Sequence, residues 1–448
     1  MPLRSPNKTM LKTVKFGGSS VADGDRFANV KNIIMSDPAR KAVVVSAPGK
    51  RFRKDNKVTD LLYLCYAHIK YGVDKEGILS LIKGRYTEIA EDLDIDIDLP
   101  AIFAEIDENL ASGAGEEYLV SRGEYLSARL MAAYLGYAFV DAGGVIFINY
   151  DDSVDKERTY AALVNAFAAS PQGIVVPGFY GTYPDGRVAL MSRGGSDITG
   201  AILAAALQAD VYENWTDVPG ILMADPGIVK DPLPIPQITY AELRELSYMG
   251  AKVLHESSVF PVREAGIPVN IRDTGNPAHP GTMIAESFEN EGEGDFYITG
   301  IAGRKGFSIV DINLENMARK TGVFRDILKI FEKKGIAIEQ INSGVDAFSL
   351  LISTELLKPH LYPVLSQVQE LCDGVRVTEN ISLLAIVSRR MVFRPGISGL
   401  IFGALGREGI NIRLISQGAE ELNITIGVSD ADFDRTINVL YDSFTKKE

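Results

Sequence analysis

Histidine and cysteine are scarce in this sequence, four and two respectively among 448 residues. The histidines are scattered without the spacing of a metal site, so no protein-built metal site is expected. Cys65 and Cys372 lie far apart and suggest no disulfide framework. No continuous apolar run approaches the roughly 18 to 20 residues of a membrane span. The opening MPLRSPNKTM has no apolar stretch to act as a signal peptide. Excess positive charge is missing too. A formal net charge of −13 argues against non-specific nucleic-acid binding and against an anionic membrane surface. It leaves room for a local basic pocket. The alternating acidic stretch EDLDIDIDLP lacks the glycine and spacing of an EF-hand loop and reads as a solvated surface segment. What these absences leave is a soluble, cytoplasmic globular protein, long enough for two or three domains.

The chain divides by pattern. Over roughly the first 290 residues, β-rich apolar runs alternate with amphipathic helical stretches. Candidate strands are TVKF, AVVVSA, YAFVDA, GIVVPGF, RVALM, DVYENW and PVNIRD. Phe27, Val30, Ile33 and Ile34 share one helical face between the first two. Strands that are apolar throughout, with helices between them, imply a mainly parallel sheet covered on both sides. Ligands in such folds bind beyond the carboxyl ends of the strands. The stretch from about 71 to 115 reads as additional helix, an insertion over one side. After the acidic, glycine-containing ESFENEGEGDF comes an internal repeat with an offset of 74 and no gap. Met317 meets Met391, Gly322 meets Gly396, and Gly335-Ile336 meets Gly409-Ile410. Ile338, Ile341 and Gly344 meet Ile412, Ile415 and Gly418. Each copy reads as strand, glycine turn, helix, strand and strand, a ferredoxin-like unit. The expected class is therefore α/β, a three-layer αβα sandwich followed by two α+β modules. The expected bounds are 10–290, 307–380 and 381–448, with 295–303 supplying a strand to the last.

Several strand ends carry chemistry. In KFGGSS, residues 15 to 20, the glycines let backbone N–H groups approach an anion and the following helix presents its positive end. A tight turn beside a surface lysine explains the same residues. SRGGSD, residues 192 to 197, repeats the theme with an arginine whose planar fork suits a carboxylate or phosphate. The plainer reading makes Ser196 or Asp197 only a helix N-cap, but two glycines preceded by an arginine are less easily explained by capping. SRGEYLSARLMAAYLGY places Glu124 in the first turn of a helix, where the dipole alone would favour it. WTDVPGILMADP is a loop after a strand, suited to covering a nucleotide or to turning the chain. MGAKVLHESSV puts Lys252 near a helix start, where a cation opposes the dipole and hints at an anionic ligand. Together these pieces suit a phosphate donor and a small zwitterion.

KFGGSSV, SRGE, SRGGSD, WTDVPGI, MGAKVLH and GINI-x-x-ISQG follow one another in the order found in aspartate kinases. The chain resembles that branch of the amino-acid kinase family along essentially its full length, and its duplicated tail resembles tandem ACT domains. The implied reaction moves the ATP γ-phosphoryl group to the β-carboxylate of L-aspartate. A carboxylate of pKa about 4 is already ionised at neutral pH, so no general base is needed. The resemblance implies that Lys15 stabilises the transferring phosphoryl group and that Gly17, Gly18 and Ser19 cradle phosphate. Lys252, beside Val253, would neutralise the nucleotide, and Thr216 and Asp217 would line its site. Asp197 would orient the lysines. Arg193, with Gly194, Gly195 and Ser196 behind it, would hold a substrate carboxylate. Glu124 would take the substrate ammonium, and Thr59 and Ser46 would contact aspartate. Magnesium would ride on the ATP phosphates. Leu222 and Gly227 depart from the aromatic and basic residues common in the nucleotide loop, and LHESSV lacks the proline common after the histidine.

For the tail, the resemblance implies feedback by lysine or threonine and assembly into a homodimer or homotetramer. Glu339 stands where lysine-responsive relatives carry a carboxylate, and Met317 and Ser343 would line the same pocket. The plainer reading makes Glu339 a surface strand residue. No fused homoserine dehydrogenase is expected after the second module. Two other functions remain open. One is a kinase of another small acid or phosphate acceptor, such as N-acetylglutamate or a nucleoside monophosphate, against which Glu124 speaks because an acylated amine needs no anionic partner. The other is an amino-acid sensor without catalysis.

Overall fold

The computed structural model describes residues 10–192, 194–251, 254, 256–289, 298–317 and 322–445. They form two compact units. One comprises residues up to 221 with 234–240 and 254–287, and the other comprises 222–233, 241–253 and 288 onward.

The first unit is built on an eight-stranded sheet. Its strands are β1 (Lys12–Phe16), β2 (Arg40–Val45), β3 (Ala138–Phe139), β4 (Ile174–Pro177), β7 (Val211–Thr216), β8 (Gln237–Thr239), β9 (Val269–Asp273) and β10 (Thr282–Ala285). The order is β3-β4-β2-β1-β7-β9-β10-β8. Pairing is parallel throughout except between β9 and β10. Val14, Phe16, Val43, Val44, Val45 and Trp215 are wholly buried, as strands covered on both faces require. Gly24–Met35 buries Phe27, Val30, Ile33 and Ile34 on one face, and the Asp23 side chain caps it by accepting from the Arg26 N–H. Helices Glu76–Asp92 and Leu99–Ala111 occupy the expected insertion, and EDLDIDIDLP supplies their connection. RVALM does not join the main sheet. It contributes β6 (Val188–Leu190), which pairs only with β5 (Tyr180–Thr182) in a two-stranded hairpin. The short strands β8 and β10 were not foreseen.

The second unit holds a six-stranded antiparallel sheet. Its strands are β11 (Gly300–Asn313), β12 (Ile338–Ser343), β13 (Ala347–Ser353), β14 (Gly374–Val387), β15 (Leu414–Gln417) and β16 (Asn423–Ser429), in the order β12-β13-β11-β14-β16-β15. Both long strands are shared. Phe307–Asn313 pairs with β13 and the first half of β14, whereas Gly300–Arg304 pairs with Leu383–Val387. Each half of the sheet then has the ferredoxin-like 4-1-3-2 arrangement, the second one borrowing its fourth strand from 300–304. The repeat has a conformational basis. Gly322 and Gly396 precede equivalent helices with φ of 96° and 98°, and Gly335 and Gly409 end them at 66° and 68°. All four occupy the left-handed region that glycine enters without strain.

A catalytic domain running unbroken from 10 to 290 is the sequence expectation, but two of its stretches pack with the C-terminal residues. The buried Glu242 carboxylate accepts from the Arg389 backbone N–H at 2.9 Å and from its guanidinium at 2.8 Å. Leu233 donates its N–H to the Tyr441 hydroxyl at 2.8 Å, and Ile301 to the Met223 carbonyl at 2.7 Å. Residues 290–297 of the expected linker lie outside the described residues. Among the described residues no helix is long and apolar enough to cross a membrane.

Candidate active site

The carboxyl ends of β1, β2, β4 and β7 converge. β1 delivers Lys15, which is buried, and its Nζ lies 2.6 Å from Asp197 Oδ1. Asp197 is not an N-cap. The capping residue of Gly195–Ala206 is Gly194, and no side chain caps that helix. The carboxylate is therefore free to meet the lysine, and Ser196 is buried beside Gly178. Gly17 sits within 3.5 Å of the Lys15 ammonium, measured from the position a Cβ would take. Gly18 and Gly49 pack backbone to backbone, with the Gly49 N–H donating to the Gly18 carbonyl at 2.8 Å. A Cβ on Gly18 would stand 2.7 Å from the Ala47 carbonyl. The helix expected directly after these glycines begins later. A 3-10 turn, Gly18–Val21, holds Ser19 and intervenes before Gly24–Met35.

The loop after β2 forms the other wall. Ser46 donates its N–H to the Phe16 carbonyl at 3.1 Å, and Val58 to the Pro48 carbonyl at 3.0 Å, which sets Thr59 in the first turn of Val58–Lys70. The Ala47 N–H donates to Glu124 Oε1 at 3.1 Å. Glu124 does not lie in a first turn, because its helix, Glu116–Leu135, begins two turns earlier. The dipole explanation therefore fails. The residue is 4% exposed, and Oε2 has no hydrogen-bond partner. Burial raises its pKa to about 7, against the opposing Ala47 N–H. A buried carboxylate with one free oxygen is suited to receive a cation. The inserted helix braces this wall. Tyr86 donates to the Gly123 carbonyl at 2.7 Å, and Arg85 binds the Gly49 carbonyl at 3.0 Å and Asp55 at 2.8 Å.

At the end of β7, the Thr216 hydroxyl donates to Asp217 at 3.2 Å; Thr216 is half-buried and Asp217 exposed. Arg193, Lys252 and Val253 lie outside the described residues. Leu222 and Gly227 fall in the second unit, where the Gly227 N–H donates to Asp225 at 2.8 Å. Among the described residues no group of three or more His, Cys, Asp or Glu side chains is placed to hold a metal. In the second unit Met317 packs against the core of the first module, and Ser343 is exposed at the end of β12. The Glu339 carboxylate is already engaged. It pairs with Arg304 at 2.9 Å and accepts from the Tyr248 hydroxyl.

Comparison with known proteins decides the identity. A model of the amino acid kinase family matches residues 10–273, and one of the ACT domain matches 384–444. Aspartokinase 3 of Bacillus subtilis is 35% identical, over 97% of this chain and 98% of its own. The chain belongs to the aspartokinases, within the amino acid kinase family. The aspartate kinase of Clostridium acetobutylicum, described as an allosteric enzyme, superposes with a TM-score of 0.87 at 42% identity over 98% of this chain and all of its own. Aspartokinase III of Escherichia coli is 27% identical. Its complex with aspartate and ADP (R-state) gives a TM-score of 0.69 and covers 97% of this chain and 99% of its own. Its complex with lysine and aspartate (T-state) gives 0.71 and covers 97% and 100%. As an aspartokinase the chain is a phosphotransferase with a carboxyl acceptor, moving the γ-phosphoryl group of ATP to aspartate.

Three residues of this aspartokinase escape a motif reading. Asn214, buried on β7, donates from Nδ2 to Asp197 Oδ1 at 2.9 Å. Thr274 ties Ser20 to the Thr216 carbonyl, at 3.3 and 3.0 Å. Phe179 follows β4 with φ of 77°, a strained conformation for a phenyl-bearing residue, and its ring lies against Gly195. Only the apolar run into a glycine, VVPGF, signals it in sequence.

Proposed function

We propose that Lys15, oriented by Asp197, stabilises the phosphoryl group in flight while Glu124 anchors the ammonium of L-aspartate. The free Oε2 of a buried carboxylate is the observation that carries this reading, since it favours an acceptor with an unmodified amine. Two negatively charged reactants have to meet. At about 4 Å and an effective dielectric of 20, each unit-charge pair is opposed by roughly 4 kcal/mol. The chemistry therefore rests on position and positive potential rather than on a proton acceptor. Gly17 and Gly18 offer backbone donors to the phosphates, Thr216 and Asp217 flank the nucleotide, and Ser46 and Thr59 contact the acceptor. Arg193, Gly194, Gly195 and Ser196 hold its carboxylate. Lys252 and Val253 serve the nucleotide. Magnesium would ride on the ATP phosphates and neutralise their charge there.

The test offers MgATP and hydroxylamine, which traps acyl phosphates, with L-aspartate, L-glutamate or N-acetyl-L-glutamate. Hydroxamate with aspartate alone is expected. Signal with the acetylated acid would overturn the role given to Glu124.

For regulation, we infer an amino-acid effector at the first module, near Met317, Glu339 and Ser343, in a cytoplasmic homodimer or homotetramer. Lysine has an ε-ammonium that needs a carboxylate, and Glu339 supplies one if the ammonium competes with Arg304. Inhibition by lysine is expected and should be lost in Glu339→Ala. Equal lysine sensitivity in the variant would remove Glu339 from the effector site.

A further inference from the structure

Lys15 and Asn214 are direct partners in the register of β1 against β7, so their side chains leave the sheet on the same face. On that face of β7 the residues run Tyr212, Asn214, Thr216. The first two both reach Asp197. The Tyr212 hydroxyl donates to the Asp197 backbone carbonyl at 3.0 Å, and Asn214 Nδ2 to its carboxylate at 2.9 Å. The approach is close because Gly200 faces Tyr212, where a Cβ would stand 2.4 Å from the hydroxyl oxygen. The tyrosine thus fixes the backbone of the helix's first turn, and the amide fixes the side chain that the turn carries.

The amide acts on the carboxylate rather than on the ammonium. Asn214 Oδ1 lies 3.5 Å from Lys15 Nζ, a weak contact, whereas Asp197 Oδ1 lies 2.6 Å from it. One oxygen of Asp197 therefore receives both the ammonium and the amide. An apolar residue at this 3% exposed position would leave the carboxylate free to rotate about its χ angles and carry the ammonium with it. An aspartate here would add a second negative charge competing for Lys15.

We propose that Asn214 is a positioning residue for phosphoryl transfer, locking Asp197 so that the Lys15 ammonium is held over the reacting group. The inference rests on the roles proposed above for Lys15 and Asp197. Its effect should appear in kcat rather than in substrate binding, because its side-chain amide is spent on Asp197 and Lys15.

The test is a double-mutant cycle on the full chain, with steady-state kinetics in both substrates. Asn214→Leu is expected to lower kcat about tenfold or more, with both KM values within about twofold. In an Asp197→Asn background the same change should cost less than about twofold, since there is no carboxylate left to orient. If Asn214→Leu does not yield folded protein, Asn214→Ala takes its place with the same expectations. An unchanged kcat in the single variant would overturn the proposal, as would an equal loss in both backgrounds. Full activity of Asp197→Asn alone would instead overturn the role given to Asp197.

Discussion

Lys15→Ala is expected to lower kcat by at least about a hundredfold while aspartate KM changes less than about threefold. The loss is the scale of removing one donor that acts on charge developing in the transition state. Lys15 is carried on the central strand β1 and paired with Asp197, so its ammonium arrives oriented and needs no rearrangement when the reactants meet. A fall confined to kcat would mean that the interaction is made in the transition state only. The substitution strips Asp197 of its cationic partner and leaves it the Asn214 amide alone, so melting temperatures should accompany the kinetics, and Lys15→Met supplies a variant that keeps most of the apolar stem. Near-normal turnover in both variants would remove Lys15 from the mechanism.

Glu124→Gln should raise aspartate KM about thirtyfold or more and leave ATP KM alone. Truncating one member of a buried charge pair costs about 2 kcal/mol or more, and a neutral amide cannot compensate the substrate ammonium. The wild-type protein should also show aspartate KM rising as pH falls below about 7, where Glu124 takes up a proton. That dependence should flatten in the variant. Stability supplies an independent readout. Burial raises the folded-state pKa to about 7, above the usual carboxylate range near 4.5, so the folded state holds the proton more tightly. The contribution to stability is complete below about pH 4.5 and is lost as pH rises through 7, on the order of 3 kcal/mol in all. Glu124→Gln lacks this dependence and should gain stability over the wild type from pH 5 to pH 8. A wild-type KM that is flat from pH 6 to 8 would contradict the assignment.

What was legible in the sequence follows from the size of each signal. β2 and β4 were readable because burial on both faces leaves the unbroken apolar runs AVVV and IVVP. β1 and β7 were readable from their β-branched and aromatic residues, although Thr13, Glu213 and Asn214 are buried among them. Gln237–Thr239 and Thr282–Ala285 are too short for any period to emerge, and they gain their strand character from pairing with each other. RVALM carries the composition of a sheet strand, but its partner is three residues of a hairpin. The glycines of the repeat were visible because a positive φ restricts the residue type at each turn. Glu124 was legible as a candidate although its helical phase was not, since nothing in GEEYLVSRGE distinguishes a helix start at 116 from one at 121. Asn214 and Thr274 left no trace, because their importance comes from register and from a crossing strand rather than from neighbours in the chain. Phe179 left only the run VVPGF as a signal, because its strain is a property of the loop between β4 and β5.

The shared strands of the second unit also bear on how the chain is made. Gly300–Arg304 leaves the ribosome well before its partner, Leu383–Val387. At about 5 to 20 residues per second, the roughly 80 intervening residues take some 4 to 16 s to appear. The first module can close in that interval through Phe307–Asn313 and Ala347–Ser353, but one end of its longest strand still waits with unpaired backbone groups, a template for foreign strands. The two modules are thus joined in time as well as in space. A chain that stops short of residue 383 forfeits an edge of the module already made.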